Sequence, residues 1–373
     1  MKAKWTLLTL EYPPQIGGVA RYLADLVRSA EGELDVIVCS EPRFWRSHVP
    51  YGTWPRWWPM VKAIRGLSDQ SGVIVSHILP VGTVAYLAHL WGGPRYVVML
   101  HGTDIRQLTN PWKRFLARRI CRSAARVCVN SQATANELHI RLGIDNATVI
   151  YPRVSIPASL LSRVEARQRL GIPLEKRLTL SIARLVPRKG IDRTIEALAS
   201  FQEAERPLYV VMGNGDDAGR LQALADEAHV AVTRLSSSSD EEKWLWLAAA
   251  DVFVLPGRDE GGDIEGFGIV YLEAAAAGIP AVAGNSGGAT EAVLHEKTGL
   301  IVDGTNAADI AAALRRLLED HELRERLGKQ ATERVHADFS RHDQWSTLIQ
   351  TLPLTKGEME GVLRSEPPLT PPS

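Results

Sequence analysis

"DVFVLPGRDEGGDIEGFGIVYLEAAAAGIPAVAGN", residues 251–285, holds two short apolar runs, DVFVLPG and PAVAGN, separated by a glycine-rich stretch and an alanine-rich helical pattern. A strand, a helix and a second strand in this order form a βαβ unit, whose two strands lie parallel in one sheet. The stretch therefore predicts a parallel sheet covered by helices.

The same alternation continues along the 373-residue chain. Runs such as WTLLTL, GVIVSH, YVVMLHG and ARVCVNS in the first half, and LTLSIAR and LYVVMGNG in the second, alternate with helical patterns such as GVARYLADLVRSA. The chain is long enough for two buried cores. We predict an α/β protein of two Rossmann-like, doubly wound domains that face a cleft, where ligands of such sheets bind.

Breaks in the pattern set the domain bounds. Pro152 and Pro157 interrupt YPRVSIPAS, which separates a first domain at 1–153 from a second at 160–338. A helical pattern follows at 339–352. The proline-rich remainder, 353–373, has few core-forming residues and is predicted to be disordered.

Charge is divided unevenly between the halves. Residues 1–150 carry 18 Lys and Arg against 10 Asp and Glu, and residues 151–373 carry 25 against 33. A basic half favours an anionic partner, although uneven solvated charge is the alternative. Three cysteines without a CxxC pair, Cys39, Cys121 and Cys128, favour a reducing, cytoplasmic location. The apolar run in the opening MKAKWTLLTLEYPP is too short for a signal peptide, and the segment is predicted to be a strand.

Two glutamates in the opening stretch are spaced eight residues apart. In one continuous helix, Glu265 and Glu273 would be offset by about 12 Å. Gly266 and Gly268 instead place Glu265 on a turn before the helix. That turn presents the amide N–H groups of Phe267, Gly268, Ile269 and Val270 at a helix N-terminus, where an anion is stabilised. In the alternative interpretation, Glu265 only caps the helix and Glu273 is exposed.

Cations follow another predicted strand. LSIARLVPRKG places Arg184 at its carboxyl end and Lys189 five residues later, with Pro187 and Gly190 tightening the turn. An arginine guanidinium can bind two phosphate oxygens at once, and a lysine ammonium adds a compact positive charge. The two together suit a diphosphate. A basic surface loop is the alternative.

Two further strand ends carry candidate ligand contacts. EYPPQIGGVARY sets Gly17 and Gly18 before a helix, where backbone N–H groups can approach a phosphate or sugar; the alternative is a plain tight turn. The pattern is not G-x-G-x-x-G, which disfavours an NAD-dependent oxidoreductase. VVMLHGTD ends with His101 and Asp104, which should face the cleft.

Together these motifs resemble the retaining glycosyltransferases of glycosyltransferase family 4, which have the GT-B fold. The resemblance extends from YPPQIGGVARY through HGTD, ARLVPRKG and GNG to EGFGIVYLEAAAAGIP and GGATEAVLHEKTGLIVD. It implies that Glu273 binds the ribose hydroxyls, that Glu265 binds the donor sugar, and that the final helix crosses back to the first domain. The residues implied to contact the diphosphate are Arg184, Lys189, Gly17, Gly18 and the amides of Phe267, Gly268, Ile269 and Val270.

The resemblance also implies roles at the acceptor side. His101 would contact the sugar near the reacting carbon, and Arg21 and Asp104 would contact the acceptor. Ala183 stands where the family often has glycine, and RLSSSSDEEKW lacks a glycine expected near the base, so the base stays open.

Retaining transfer requires leaving-group stabilisation, which assigns the main catalytic contribution to Arg184 and Lys189. No Asp-x-Asp metal motif is present, so the implied enzyme uses a nucleotide sugar as substrate and needs no metal or other cofactor.

Two segments bear on the acceptor. No acidic residue occurs from Ile105 to Asn136, whereas the basic residues there are Arg106, Lys113, Arg114, Arg118, Arg119, Arg122 and Arg126. A second segment mixes tryptophans with basic residues: Trp54, Arg56, Trp57, Trp58, Met60 and Lys62. This composition is typical of an anionic membrane interface and predicts a lipid or lipid-linked acceptor at the inner face. A solvated basic helix and tryptophans in an acceptor pocket are the alternative.

Other functions remain open at this point. They are transfer to a small soluble acceptor such as a sugar phosphate, a GT-B epimerase, and a non-catalytic nucleotide-sugar-binding protein. Nucleic-acid binding is not predicted, because no recognition motif accompanies the basic residues.

Overall fold

The computed structural model describes residues 5–15, 17–39, 58–67, 72–236, 239–340 and 344–352. The tail 353–373, for which disorder was predicted, lies outside the described residues. So do Trp54, Arg56 and Trp57 of the tryptophan-rich segment.

The described part of the first domain contains six parallel strands. They are β1 Trp5–Thr9, β2 Leu34–Val38, β3 Val73–Val75, β4 Tyr96–Leu100, β5 Arg126–Val129 and β6 Thr148–Val149. Their order is β2-β1-β3-β4-β5-β6. β1, β3 and β4 are buried along their whole length, as expected for central strands of a sheet that is covered on both faces. The order reverses between β1 and β3, so the sheet's switch point lies there.

Helices connect these strands. Their bounds are Gly18–Ser29, Trp58–Arg65, Thr83–Leu90, Thr103–Arg106, Pro111–Ser123 and Gln132–Leu142, with a short helical turn at Ile78–Gly82. Around Pro80 the chain thus forms a strand, a helical turn and a helix in succession. Across the described residues, no helix combines the length and apolar composition that crossing a bilayer requires.

The second domain also has six parallel strands within the described residues. They are β7 Leu178–Ile182, β8 Leu208–Met212, β9 Val232–Leu235, β10 Val252–Leu255, β11 Ala281–Gly284 and β12 Gly299–Val302. Their order is β12-β11-β10-β7-β8-β9, the classic Rossmann order read from its far edge. The switch point here lies between β7 and β10.

The second domain's helices alternate with these strands. Their bounds are Arg163–Leu170, Ile191–Ala199, Ala218–Glu227, Asp240–Ala249, Ile269–Ala276, Ala289–Ala292, Ala307–Glu319 and His321–Arg334, with short turns at Pro187–Lys189 and Val335–Phe339. The stretch at 251–285 thus forms the strand, helix and strand that its pattern predicts. The α/β prediction is confirmed.

The final helix, Gln344–Gln350, packs on the first domain although it follows the second along the chain. Trp345 meets Trp5 edge to face, with ring centroids 6.2 Å apart, and its indole N–H donates to Glu33 at 3.0 Å. Leu348 is fully buried in the same apolar cluster. The chain therefore passes between the two domains twice.

Candidate active site

The carboxyl ends of the two sheets face each other, and the loop before the helix Ile269–Ala276 touches the first domain. The Ser131 hydroxyl donates to the Gly266 carbonyl at 2.6 Å, and the Arg106 guanidinium donates to the Ile264 carbonyl at 2.6 Å. Glu291 accepts hydrogen bonds from the amides of Gln132 and Ala133, each at 2.8 Å. The cleft between the domains is thus formed by residues that contact one another directly.

Gly266 fits a space that no larger residue could occupy. A Cβ atom added there would lie 2.6 Å from the His101 carbonyl oxygen and 3.2 Å from the Asn130 amide nitrogen. The chain needs glycine at this position because the loop carrying Glu265 lies directly against the end of β4.

Glu265 lies between two cations and is largely enclosed, with 12% of its side chain exposed. Its carboxylate contacts the Lys189 ammonium and lies 2.9 Å from the Arg188 guanidinium, which also lies 3.1 Å from Asp263. Burial alone would raise the pKa of Glu265, but Lys189 and Arg188 outweigh it and lower that pKa to about 2. Glu265 is therefore an ionised hydrogen-bond acceptor at neutral pH.

Arg184 and Lys189 differ in their surroundings. The predicted turn between them is present as the helical turn Pro187–Lys189, and Gly190 follows with a φ of 72°. Lys189 is buried against Glu265, whereas Arg184 is exposed and makes no hydrogen bond or ion pair with any residue that the structure describes. Arg184 is thus the cation that is open to an anionic ligand.

The helix Ile269–Ala276 begins with unpaired amides. Within the described chain, the N–H groups of Phe267, Gly268, Ile269 and Val270 donate to no acceptor, and the first bonded amide is that of Tyr271. Gly268, with a φ of 89°, brings the chain into the helix. Four amides and the positive end of the helix dipole suit an anion.

Glu273 lies one turn into this helix and is buried. The Lys243 ammonium lies 2.6 Å from its carboxylate, and the Arg21 guanidinium also contacts it. The alternative interpretation of Glu273 as an exposed helix residue is therefore wrong. Arg21 also lies 2.7 Å from Asp240, so it contacts the second domain and pairs with the carboxylate implied to bind ribose.

Gly17 and Gly18 start the helix Gly18–Ser29 and are exposed. A Cβ atom at Gly17 would have Glu11 as its nearest neighbour, at 3.8 Å, and one at Gly18 would meet nothing within 4 Å. The backbone here leaves room for a ligand to approach.

His101 is buried directly after β4. Its ring meets Tyr22 edge to face at 5.0 Å, and its Nε2 atom has no hydrogen-bond partner among the described residues. Burial and the neighbouring His77 lower the pKa of His101 to about 3, so the imidazole is neutral at physiological pH. The His101 amide donates to Asp104 at 3.2 Å.

Several cleft residues were not singled out from the sequence. They are Glu11, His77, Arg188, Lys243 and Asp240. Glu11 and His77 follow β1 and β3 by two residues each, so their place after predicted strands was the signal that could have found them. Within the described chain, no group of three or more His, Cys, Asp or Glu side chains is arranged to hold a metal ion.

Two family models match the chain. Residues 16–156 match Glycosyltransferase Family 4, and residues 162–334 match Glycosyl transferases group 1. The two matches divide the chain as its two domains do.

Relatives and solved structures agree with these matches. A GDP-mannose-dependent alpha-(1-6)-phosphatidylinositol monomannoside mannosyltransferase of Mycobacterium tuberculosis is 34% identical over 73% of this chain and 72% of its own length. A GDP-mannose-dependent monoacylated alpha-(1-6)-phosphatidylinositol monomannoside mannosyltransferase of Corynebacterium glutamicum is 29% identical over 98% of each chain. The fold is similar to that of Anabaena HepE in complex with UDP, with a TM-score of 0.79, 20% identity and coverage of 93% of this chain and 99% of that one.

The two-domain architecture is therefore the GT-B fold, and the non-catalytic alternative gives way to a nucleotide-sugar-dependent hexosyltransferase. The chain belongs to glycosyltransferase family 4.

Proposed function

We propose that the protein transfers mannose from GDP-mannose to a hydroxyl group of a phosphatidylinositol-linked acceptor, with retention of the anomeric configuration. The observation that supports donor and acceptor together is the similarity to two mannosyltransferases whose names specify GDP-mannose and a phosphatidylinositol mannoside. The coarser activity, transfer of a hexosyl group from a nucleotide sugar, follows from family membership.

The proposed chemistry breaks the bond between the mannosyl C1 atom and the diphosphate oxygen and forms a bond from C1 to the acceptor oxygen. The hydroxyl proton passes to the departing diphosphate. Negative charge grows on that leaving group, so the stabilising groups must face it. Arg184, exposed in the cleft, and the unpaired amides of 267–270 supply such groups.

Glu265 and Lys189 have linked roles in this proposal. Glu265 is ionised and held by Lys189 and Arg188, so its carboxylate can accept hydrogen bonds from the donor sugar without moving. Lys189 holds Glu265 and adds positive charge near the diphosphate. His101 contributes a neutral imidazole beside the sugar, since its Nε2 atom is buried and unpaired within the described residues.

A direct assay tests donor, acceptor and stereochemistry. Incubation of the full chain with GDP-mannose and a short-chain phosphatidylinositol monomannoside should give a dimannoside and one GDP per transfer, with an α linkage by NMR. UDP-glucose is the matched donor control. Transfer from UDP-glucose alone would contradict the donor, and a β-linked product would contradict retention. Transfer only to a soluble sugar or inositol phosphate would replace the lipid acceptor with the small-acceptor alternative.

The helix Pro111–Ser123 supports a second part of the proposal, attachment to an anionic membrane surface. Trp112 and Phe115 are 67% and 52% exposed and stack with centroids 5.6 Å apart. Within the described chain, Lys113, Arg119 and Arg122 form no ion pairs with acidic residues. An anionic leaflet attracts such cations by about 1 kcal/mol each, and the aromatic rings suit the headgroup region.

Flotation with vesicles tests this surface. Binding to phosphatidylglycerol vesicles is expected at low salt, with weaker binding at high salt because the charges are screened. The double variant Trp112→Ala, Phe115→Ala should bind less, whereas Ile140→Ala, which removes an exposed apolar residue from another helix, should not. Absence of wild-type flotation at low salt would overturn the membrane proposal and leave the transfer reaction untouched.

A further inference from the structure

Glu11 and His77 lie at the switch point of the first sheet. Glu11 follows β1 and His77 follows β3, and these strands are neighbours at the place where the strand order reverses. Ligands of open α/β sheets bind in the crevice that forms there. In the second domain, Arg184 and Glu265 follow β7 and β10 at the corresponding point.

A chain of hydrogen bonds fixes the tautomer of His77. The Thr9 hydroxyl donates to the Glu11 carbonyl at 2.8 Å, and the Ser76 hydroxyl donates to the Thr9 hydroxyl at 2.8 Å. The Ser76 oxygen, 2.8 Å from His77 Nδ1, has thereby used its only proton. His77 must therefore donate from Nδ1 to the Ser76 oxygen. Its Nε2 atom can then bond to another group.

His77 Nε2 faces two carboxylates without touching either. It lies 3.9 Å from Glu11 Oε1 and 3.8 Å from Asp104 Oδ1. These separations exceed a hydrogen bond, yet one oxygen atom beside the pair could lie about 2.8 Å from both Nε2 and Oε1. A hydroxyl group at that point would bridge the pair.

Glu11 faces the cleft, whereas its neighbours are enclosed. Its side chain is 46% exposed, against 14% for His77 and 8% for Asp104. It is next to Gly17, and His77 and, more weakly, Arg184 of the other domain help to hold its pKa below the ordinary value. His101, with its unpaired Nε2 atom, belongs to the same electrostatic cluster.

We propose that Glu11 and His77 form a binding pair for a polyol hydroxyl of the acceptor: Glu11 accepts a hydrogen bond from this hydroxyl, and protonated His77 donates one to its oxygen. The inference deepens the proposed function and depends on it, since it concerns the acceptor side of the same cleft. The hydroxyl that fits this pair belongs to a sugar or cyclitol, and it both donates and accepts a hydrogen bond.

The protonation state of His77 decides whether the hydroxyl makes two hydrogen bonds with the pair or one. Burial alone would lower the pKa of His77, but Glu11 and Asp104 outweigh it and raise that pKa. The charged and titratable groups facing His77 are Glu11, Asp104 and His101, and His101 stays neutral. When His77 loses its Nε2 proton at higher pH, both groups of the pair become acceptors, and the hydroxyl loses one hydrogen bond.

Three variants and one control test the pair. Glu11→Ala should lower kcat/KM for the phosphatidylinositol monomannoside about tenfold to a hundredfold, the range for loss of a charge-assisted hydrogen bond, and Glu11→Gln should lower it less. Donor hydrolysis without acceptor and the thermal shift with GDP-mannose should change by less than about twofold. Glu203→Ala, on an exposed residue of the second domain, should match the wild type.

His77→Gln adds a readout that a purely structural role would not move. The wild-type kcat/KM for the acceptor should fall as pH rises through the pKa of His77, and the variant, whose amide donates at every pH, should lack that transition.

Failure of the pair and failure of the proposed function give different results. Unchanged acceptor kinetics in Glu11→Ala, or an equal loss of donor hydrolysis, would overturn the pair. If the wild type used only a soluble polyol phosphate, the proposed lipid acceptor would fail, and the same variants compared on that polyol would decide the pair. No wild-type transfer to any polyol would overturn both.

Discussion

Arg21 of the first domain and Glu273 of the second form an ion pair across the cleft, beside Lys243 and Asp240. The pair joins residues that are 252 positions apart in the sequence. It also occupies the carboxylate that the family resemblance assigns to ribose. Donor binding would therefore have to share or displace Arg21.

Removal of Arg21 should loosen the closed arrangement of the domains. In Arg21→Ala, Glu273 keeps Lys243 but the cleft loses two interdomain contacts, so the radius of gyration of the ligand-free protein should increase in small-angle scattering. Arg65→Ala, on an exposed residue of another helix of the first domain, is the control. An unchanged scattering profile would show that the pair does not hold the domains together.

Removal of Lys189 should reduce turnover strongly. Loss of one preorganised donor costs about 3 to 4 kcal/mol of transition-state stabilisation, so kcat of Lys189→Ala should fall about a hundredfold to a thousandfold. Thermal stability should also fall, because the largely enclosed Glu265 carboxylate keeps only Arg188 as a cationic partner. Steady-state kinetics and melting curves measure the two effects, and a kcat decrease below about threefold would reject the catalytic role.

Glu265 should make stability depend on pH in the acid range. Its folded pKa of about 2 lies below the ordinary value of 4.5, so its contribution to the free energy of unfolding is complete above pH 4.5 and is lost as pH falls towards 2. That contribution is about 3 kcal/mol at neutral pH. Urea unfolding should show the gap between wild type and Glu265→Gln narrowing as pH falls from 6 to 3. A constant gap, like that expected for the exposed Glu203→Gln, would contradict the depressed pKa.

Gly266 should be intolerant of even one added carbon. Gly266→Ala would place a methyl group against the His101 carbonyl and push the Glu265 loop away from the first domain. A displacement of about 1 Å can cost a hundredfold in rate, and a loss of that order is expected for kcat. Gly219→Ala, where the added carbon meets nothing within 4 Å, should keep full activity. Equal activity in the two variants would show that the contact does not position the loop.

Catalysis should continue without divalent cations. The proposed stabilisation of the leaving group relies on Arg184, Lys189 and helix amides, so transfer in excess EDTA should equal transfer in buffer. Abolition by EDTA and recovery with Mg²⁺ would contradict this proposal.

The fold could be read from the sequence because apolar runs and helical periods alternate so regularly. Pro187 and Gly190 also indicated the tight turn that brings Lys189 back towards the strand end. The ion-pair partner of each charged residue could not be predicted from the sequence. The predictions that Lys189 contacts a diphosphate and Arg21 an acceptor stay predictions. The sequence did not indicate that Lys189 contacts Glu265 or that Arg21 contacts Glu273.

Glu11 and His77 show why side-chain partners could not be predicted from the sequence. Their nearness depends on β1 and β3 being neighbours in the sheet, and β2 intervenes between them in the sequence. Strand order is a tertiary property, set by how the helices cover both faces, so local patterns do not report it. The sequence indicated that polar residues follow each strand, but not which of them lie together in the folded protein.

The packing of Trp345 on Trp5 has a consequence for synthesis on the ribosome. The first domain emerges early, but part of its apolar cluster comes from a helix that is translated after nearly the whole second domain. During translation, the face around Trp5 stays uncovered until those last turns leave the exit tunnel. The core of the first domain is thus completed only after the second domain has been translated.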